Sequence, residues 1–227
     1  MGLLLEVVVH RVEDVAGAVA GGADRLCLEV DGRAPDPATA AAVLRASDVP
    51  VRVLVGGDHG AVADAAALGR ELVGLGAEGV CFGFLDADLD VDVETTAALA
   101  TALPDVPWTF PRVVDDCLDP RRAWRRLVGL PGLTAVATAG SPQGLAHGYD
   151  DLLALASADP AVARLVMPAG GLGADQVPWL ARAGVTQVQV AEQVRPGGSA
   201  RAYVDAALVR SWRLLLDGPA VARAAAR

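Results

Sequence analysis

Residues 22–30 read Gly22-Ala23-Asp24-Arg25-Leu26-Cys27-Leu28-Glu29-Val30, a glycine turn followed by a run with the character of a buried strand. The turn recurs as Gly76-Ala77, Gly132-Leu133 and Gly184-Val185, in steps of 54, 56 and 52 residues. Glycine just after a helix supplies the left-handed residue that ends the helix before the next strand begins. A turn that repeats at this interval indicates a chain built from equal βα units, with two units to each step.

Eight apolar runs rich in β-branched residues, each of about five to seven residues, are predicted as strands. Most are apolar at odd and even positions alike, which is typical of strands covered on both faces of a parallel sheet. Between them lie segments whose apolar residues are spaced three and four apart, as in helices. The eight runs are Leu3–Val9, Arg25–Val30, Val51–Gly56, Val80–Leu85, Trp108–Val114, Ala135–Gly140, Leu165–Ala169 and Gln187–Ala191.

Eight alternations of strand and helix in 227 residues predict a single (β/α)8 TIM barrel over residues 1–227, with short loops. The alternative is an open, doubly wound sheet, which normally carries a glycine-rich fingerprint after its first strand. The first strand here ends in Val9-His10-Arg11 without a glycine, so the barrel is favoured.

Composition excludes several classes of function. The net charge is −9, and an acidic surface repels phosphate backbones, so we expect no nucleic-acid partner. All 19 basic residues are arginine, which excludes Schiff-base chemistry on a lysine. No apolar run approaches the roughly 20 residues of a membrane-spanning helix. The three cysteines are far apart in sequence, so we expect reduced thiols and a cytoplasmic protein.

Functional side chains of a (β/α)8 barrel lie at the carboxyl ends of its strands. Glu6, within the apolar run Leu3–Val9, is the most informative of the polar residues there. A carboxylate buried in such a run needs a partner. Glu6 is therefore either a general acid or base, or one half of a buried ion pair with Arg25 or Arg112.

Cys27 and Glu29 are two residues apart on one predicted strand and share a face, where they could bind a metal or form part of a site. The alternative for Cys27 is a small core residue. Arg112, inside the run Trp108–Val114, is expected either to hold an anion or to pair with Glu6 or Glu29.

Two further features are candidates for ligand binding. Asp86 is the carboxylate nearest the strand end in the acidic run 86–92, whose other members are expected to be solvated or to cap a helix. Gly170-Gly171 follows the seventh predicted strand, where barrels often bind phosphate, and it is either a phosphate cradle or a tight turn.

Several segments, in chain order, resemble the CutC copper homeostasis family. They are Leu4-Leu5-Glu6-Val7, Gly22-Ala23-Asp24-Arg25, 75–80, Leu85-Asp86-Ala87-Asp88, Thr109-Phe110-Pro111-Arg112 and Met167-Pro168-Ala169-Gly170-Gly171. The resemblance covers roughly residues 3–192. It implies a cytoplasmic (β/α)8 barrel, usually oligomeric, that is linked to copper tolerance and Cu(I) binding without an agreed reaction.

This resemblance carries over Glu6, Arg25, Arg112, Asp115 and Thr138 as site residues. Cys27 and Glu29 stand in exchanged order relative to the family pattern, and Pro111 occupies a histidine position. Copper as Cu(I) needs soft sulfur or imidazole donors, and the sequence shows no second one beside Cys27. The expected function is copper homeostasis with Cys27 as metal ligand. The alternatives are an enzyme acting on a small anionic metabolite and a scaffold protein with a decayed site, with a homo-oligomer possible in each case.

Overall fold

The predicted alternation of strands and helices is present in the computed structural model of the protein, which describes residues 2–56 and 62–225. The strands are β1 Leu4–Val9, β2 Arg25–Leu28, β3 Val51–Leu54, β4 Gly79–Cys81, β5 Trp108–Phe110, β6 Leu133–Thr138, β7 Val166–Pro168 and β8 Gln187–Val190. The helices are α1 Val12–Gly21, α2 Pro37–Ala46, α3 Val62–Gly74, α4 Val93–Ala102, α5 Pro120–Leu127, α6 Leu145–Ala158, α7 Pro160–Leu165, α8 Val177–Arg182, α9 Ala206–Leu216 and α10 Pro219–Ala225.

All the strand pairs are parallel, and hydrogen bonds connect them in the order β7-β6-β5-β4-β3-β2-β1-β8. The two end strands, β7 and β8, lie against each other, so the sheet forms a nearly closed barrel. The predicted (β/α)8 TIM-barrel fold is therefore confirmed. In such a ring β1 lies opposite β5, and β2 and β8 flank β1.

Aspartate caps start several of the helices. Asp36, Asp92 and Asp119 each accept a hydrogen bond from a backbone N–H in the first turn of α2, α4 and α5. Proline follows Asp36 and Asp119 directly, where its missing N–H costs nothing. These caps fix where the loops at the carboxyl ends of the strands give way to helices.

The prediction of a strand over Trp108–Val114 is wrong beyond Phe110, where the strand ends. Pro111 has no N–H for a strand ladder, and a 3-10 helix, Arg112–Asp116, begins directly after it. Arg112 therefore does not lie inside a strand but at the rim of the barrel. Two more 3-10 segments, Glu192–Val194 and Pro196–Gly198, follow β8.

Other boundaries also differ from the expectation. A short helix, α7, precedes the seventh strand, with Asp159 as its cap and Pro160 as its first residue. The expected strand over 80–85 ends at Cys81. Helix α10 was not predicted. Across residues 2–56 and 62–225 we find no helix with the length and apolar character needed to cross a membrane.

Candidate functional site

A cavity of about 450 Å³ opens at the carboxyl ends of the strands, at the mouth of the barrel. We call it the mouth cavity. Five of the nine residues expected at the site line it, namely Cys27, Glu29, Arg112, Asp115 and Gly170. Its other lining residues are Val8, Gly32, Leu54, Cys81, Thr109, Pro111, Val113, Asp116, Ala137, Pro142, Gln189, Ala191 and Glu192.

Two thiols meet in the wall of the mouth cavity. Cys27 on β2 and Cys81 on β4 are both buried, and their Sγ atoms are 3.7 Å apart. They pack with the aliphatic side chains of Val8 and Leu54. The contact with Cys81 and the burial of the site raise the pKa of the Cys27 thiol well above its usual value. Cys27 is thus a neutral thiol near pH 7.

Cys81 was not expected at the site, yet it is the partner of Cys27. A signal for it exists in the repeating turns. Cys27 lies five residues after the turn glycine Gly22, and Cys81 lies five residues after Gly76. Equal positions in βα units that are two apart bring the two side chains to the same level of the barrel interior.

Glu29 follows directly after β2 and lies at the wall of the mouth cavity. Burial raises the pKa of its carboxyl group, and the nearby carboxylate of Glu192 adds to the rise, while His10 opposes it. The Nδ1 of His10 donates to the backbone carbonyl of Glu29 over 2.9 Å. Within the described part of the chain, no hydrogen bond or ion pair engages the carboxylate of Glu29.

Asp115 holds the rim of the barrel together through hydrogen bonds. Its carboxylate accepts hydrogen bonds from Thr138 Oγ1 at 2.6 Å, from the N–H groups of Ala139 and Gly140, and from Arg112 Nε at 3.0 Å. Burial raises the pKa of Asp115 against the effect of these bonds. The carboxylate of Asp115 is fully engaged, and Thr138 serves to hold it; these contacts place both residues in the scaffold of the site.

Arg112 is positioned by Asp115 and by Gly170. Its Nε atom is bound to Asp115, and its guanidinium lies against Gly170, where a Cβ would come within 2.6 Å of Cζ. Gly170 also has a φ of 68°, in the left-handed region that glycine adopts without strain. The arginine side chain remains 40% exposed and lines the mouth cavity.

The segment after Gly170 does not have the form expected of a phosphate cradle. Gly171 does not line the mouth cavity, and the N–H of Gly173 is bound by Oε1 of Gln176 at 2.8 Å. The helix that follows begins only at Val177 and has six residues. The tight-turn alternative describes this segment.

Glu6 lies in the barrel interior, beneath the mouth cavity. Its carboxylate forms an ion pair with Arg25 and accepts a hydrogen bond from Nε2 of Gln189 at 2.8 Å. Gln189 lines the cavity, and Glu6 does not. Of the two roles considered for Glu6, the structure displays the buried ion pair, with Arg25 as the partner.

Asp86 lies outside the mouth cavity. Its Oδ1 atom accepts hydrogen bonds from the N–H groups of Asp88 and Asp90, both at 3.0 Å, and its Oδ2 atom is 3.6 Å from Arg126. These contacts order the loop that follows β4. The structure therefore places Asp86 apart from the other candidate residues.

The side chains available as donors determine which metal ions the site can hold. Among residues 2–56 and 62–225 we find no group of three or more His, Cys, Asp or Glu side chains arranged to hold a metal ion. Tetrahedral zinc sites need such a group. The paired sulfurs of Cys27 and Cys81 are a two-donor site, which fits a soft ion of low coordination number such as Cu(I).

Comparison with known proteins identifies relatives over most of the chain. The model of the CutC family matches residues 3–194. The family protein CutC of Klebsiella pneumoniae is 30% identical over 239 residues, which cover 96% of this chain and 95% of the relative. A human protein named copper homeostasis protein cutC homolog is 33% identical over 183 residues, covering 75% of this chain and 66% of that protein.

Solved structures show the same fold. The crystal structure of CutC from Streptococcus agalactiae, described as a copper homeostasis protein, has a TM-score of 0.70 and 20% identity. The match covers 82% of this chain and 97% of that one. At this level of identity the likeness supports the barrel fold alone.

Proposed function

Since the chain belongs to the CutC family, we propose that it takes part in copper homeostasis by binding Cu(I) between Cys27 and Cys81. The observation that carries the proposal is the 3.7 Å separation of the two Sγ atoms in the wall of an open cavity. Sulfur is the soft donor that Cu(I) prefers, and two thiolates are sufficient to hold it.

The charges around the mouth cavity support entry of a cation. Glu29 and Glu192 lie at its wall, and the chain as a whole carries a net charge of −9. A cavity lined by carboxylates raises the local concentration of cations. The aliphatic side chains of Val8 and Leu54 then enclose the ion beside the thiols.

Titration of the reduced protein with Cu(I) against a competing chelator tests the proposal. We expect one ion to bind, and Cys27→Ala and Cys81→Ala each to weaken binding at least about a hundredfold, because each removes half of the donor set. Cys117→Ala is the matched control, since Cys117 is a buried cysteine that does not line the mouth cavity. Binding by Cys27→Ala as tight as by the unchanged protein would refute the assignment.

The binding of Cu(I) is expected to depend on pH. Because the pKa of Cys27 lies well above its usual value, this thiol is protonated at neutral pH and must release its proton to the solvent when the metal binds. Apparent affinity should therefore rise as pH rises, about tenfold per pH unit for each proton released. Chelator competition at pH 6, 7 and 8 measures the slope; a flat profile would show that Cys27 is not a ligand.

The other hypotheses lead to different expectations. A scaffold with a decayed site predicts no solvent-filled pocket at the strand ends, and the mouth cavity counts against it. A small anionic metabolite, held by Arg112, meets the carboxylates of Glu29 and Glu192 in the same cavity. A cytoplasmic location and a homo-oligomer stay predictions from the family resemblance.

A further inference from the structure

Side chains of opposite charge line the mouth cavity. Arg112 follows β5. Glu29 follows β2 and Glu192 follows β8, the two strands that flank β1. The guanidinium of Arg112 extends to Gly170, just after β7, and Asp115 and Asp116 also line the cavity. Among the described residues, one cationic side chain and four carboxylates therefore surround the same space, and Asp115 is bound to the cation.

The guanidinium of Arg112 has unused hydrogen-bond donors. Arg112 uses Nε for Asp115, and Gly170 supports the face of its guanidinium. Among the described residues, none accepts a hydrogen bond from its Nη1 or Nη2 atoms. A guanidinium presents paired N–H groups that match a carboxylate, which makes this end of the side chain a suitable anion contact.

Glu29 has no direct partner for its carboxylate among the described residues. The Glu29 carboxylate is half-buried and is engaged by no partner in residues 2–56 and 62–225, and Glu192 lies near it. A partly buried carboxylate without a partner is unfavourable, and an ammonium group would relieve this cost.

We propose that the mouth cavity binds a small zwitterion, an amino carboxylate whose carboxylate contacts Arg112 and whose ammonium group contacts Glu29. A purely anionic ligand would satisfy Arg112 and face two carboxylates without counter-charge, and a purely cationic ligand would leave Arg112 unused. A volume of about 450 Å³ has room for a molecule of amino-acid size. The aliphatic floor at Val8 and Leu54 offers contact for its hydrocarbon part.

Calorimetric titration of the reduced, metal-free protein with a series of amino carboxylates tests this proposal. The series places one to six carbons between ammonium and carboxylate, starting from L-leucine as the α-amino acid. For the tightest member, the matched acid without the amine and the matched amine without the acid are titrated as well. We expect the zwitterion to bind at least about tenfold tighter than either singly charged partner, as two charge-assisted contacts require.

Variants of Arg112 and Glu29 test the two proposed ionic contacts separately. Arg112→Gln and Glu29→Gln should each weaken binding of the zwitterion at least about tenfold, because each removes one ionic contact. Arg112→Lys keeps the positive charge but loses the paired N–H groups of the guanidinium. It should therefore bind the zwitterion more tightly than Arg112→Gln does and less tightly than the unchanged protein. Glu13→Gln, at an exposed carboxylate on α1, is the matched control and should leave binding unchanged.

Three outcomes would overturn the proposal: no member of the series binds, the matched acid binds as tightly as the zwitterion, or the matched amine does. A double variant, Cys27→Ser with Cys81→Ser, separates this proposal from copper binding. It is expected to keep zwitterion binding and to lose Cu(I) binding. Loss of zwitterion binding in that double variant, with the fold intact, would show that Arg112 and Glu29 do not form the zwitterion site.

Discussion

Replacing Arg195 by alanine is expected to lower the free energy of unfolding by about 3–5 kcal/mol, because it leaves a buried carboxylate without its cation. Both side chains of the Arg195–Asp14 pair are fully buried. Two nitrogens of Arg195 bind the two oxygens of Asp14, at 2.9 and 3.1 Å. Arg195 also donates to the backbone carbonyls of Val8 and Ala202, so it ties β1 to the segment that precedes α9.

Urea denaturation of Arg195→Ala measures the loss. Arg121→Ala, at an exposed arginine on α5, is the control and should change stability by less than about 0.5 kcal/mol. Burial opposes ionisation of Asp14, but the bonds from Arg195 and from the N–H of His10 outweigh it and lower its pKa. The stabilisation should therefore be complete near neutral pH and fade as pH falls below the ordinary range of an aspartate. A loss below about 1 kcal/mol at pH 7 would contradict this account.

Glu6→Ala is expected to cost a similar amount, about 3–5 kcal/mol, because the guanidinium of Arg25 then stays in the barrel interior without a carboxylate. The amide of Gln189 also loses its acceptor. Replacing both charges, with Glu6→Leu and Arg25→Met together, should restore most of the stability, since an apolar pair of similar volume avoids the cost of desolvation.

Denaturation of the two single variants and the double variant forms a cycle that separates pairing from packing. Glu13→Ala, at an exposed glutamate, controls for the loss of a carboxylate elsewhere. If the double variant is folded and still binds Cu(I), Glu6 is a structural residue. If it is folded and has lost binding while the thiols remain reduced, Glu6 acts on the site and the structural assignment fails.

The fold was predictable because its signals are local. The glycine turns that begin at Gly22 recur every two units, and each buried run lies between a turn and an amphipathic segment. Periodicity of this kind reports only which faces are covered, and in a barrel every strand is covered on both. It was sufficient to predict the barrel but not to predict where a strand ends, as the early end of β5 at Phe110 shows.

The site was predictable only in part because it depends on contacts between distant segments. Arg112 was assigned to a strand although Pro111, which cannot donate to a strand ladder, directly precedes it. The contact of Asp115 with Thr138, 23 residues away, has no local signal in the sequence. Asp86 follows β4 as expected, yet its contacts with neighbouring N–H groups bind it into its own loop. The pairing of Cys27 with Cys81 requires the arrangement of three strands.

The strand that separates the two cysteines has a chemical consequence. Cys27 is on β2, Cys81 is on β4, and β3 runs between them. A disulfide requires Cα atoms within about 7 Å, whereas two strand spacings place these backbones about 9 Å apart. The sulfurs touch, yet they cannot join unless the barrel is pinched across β3. An oxidising environment therefore cannot lock this pair as an internal cystine, and the two thiols stay available to an incoming ion.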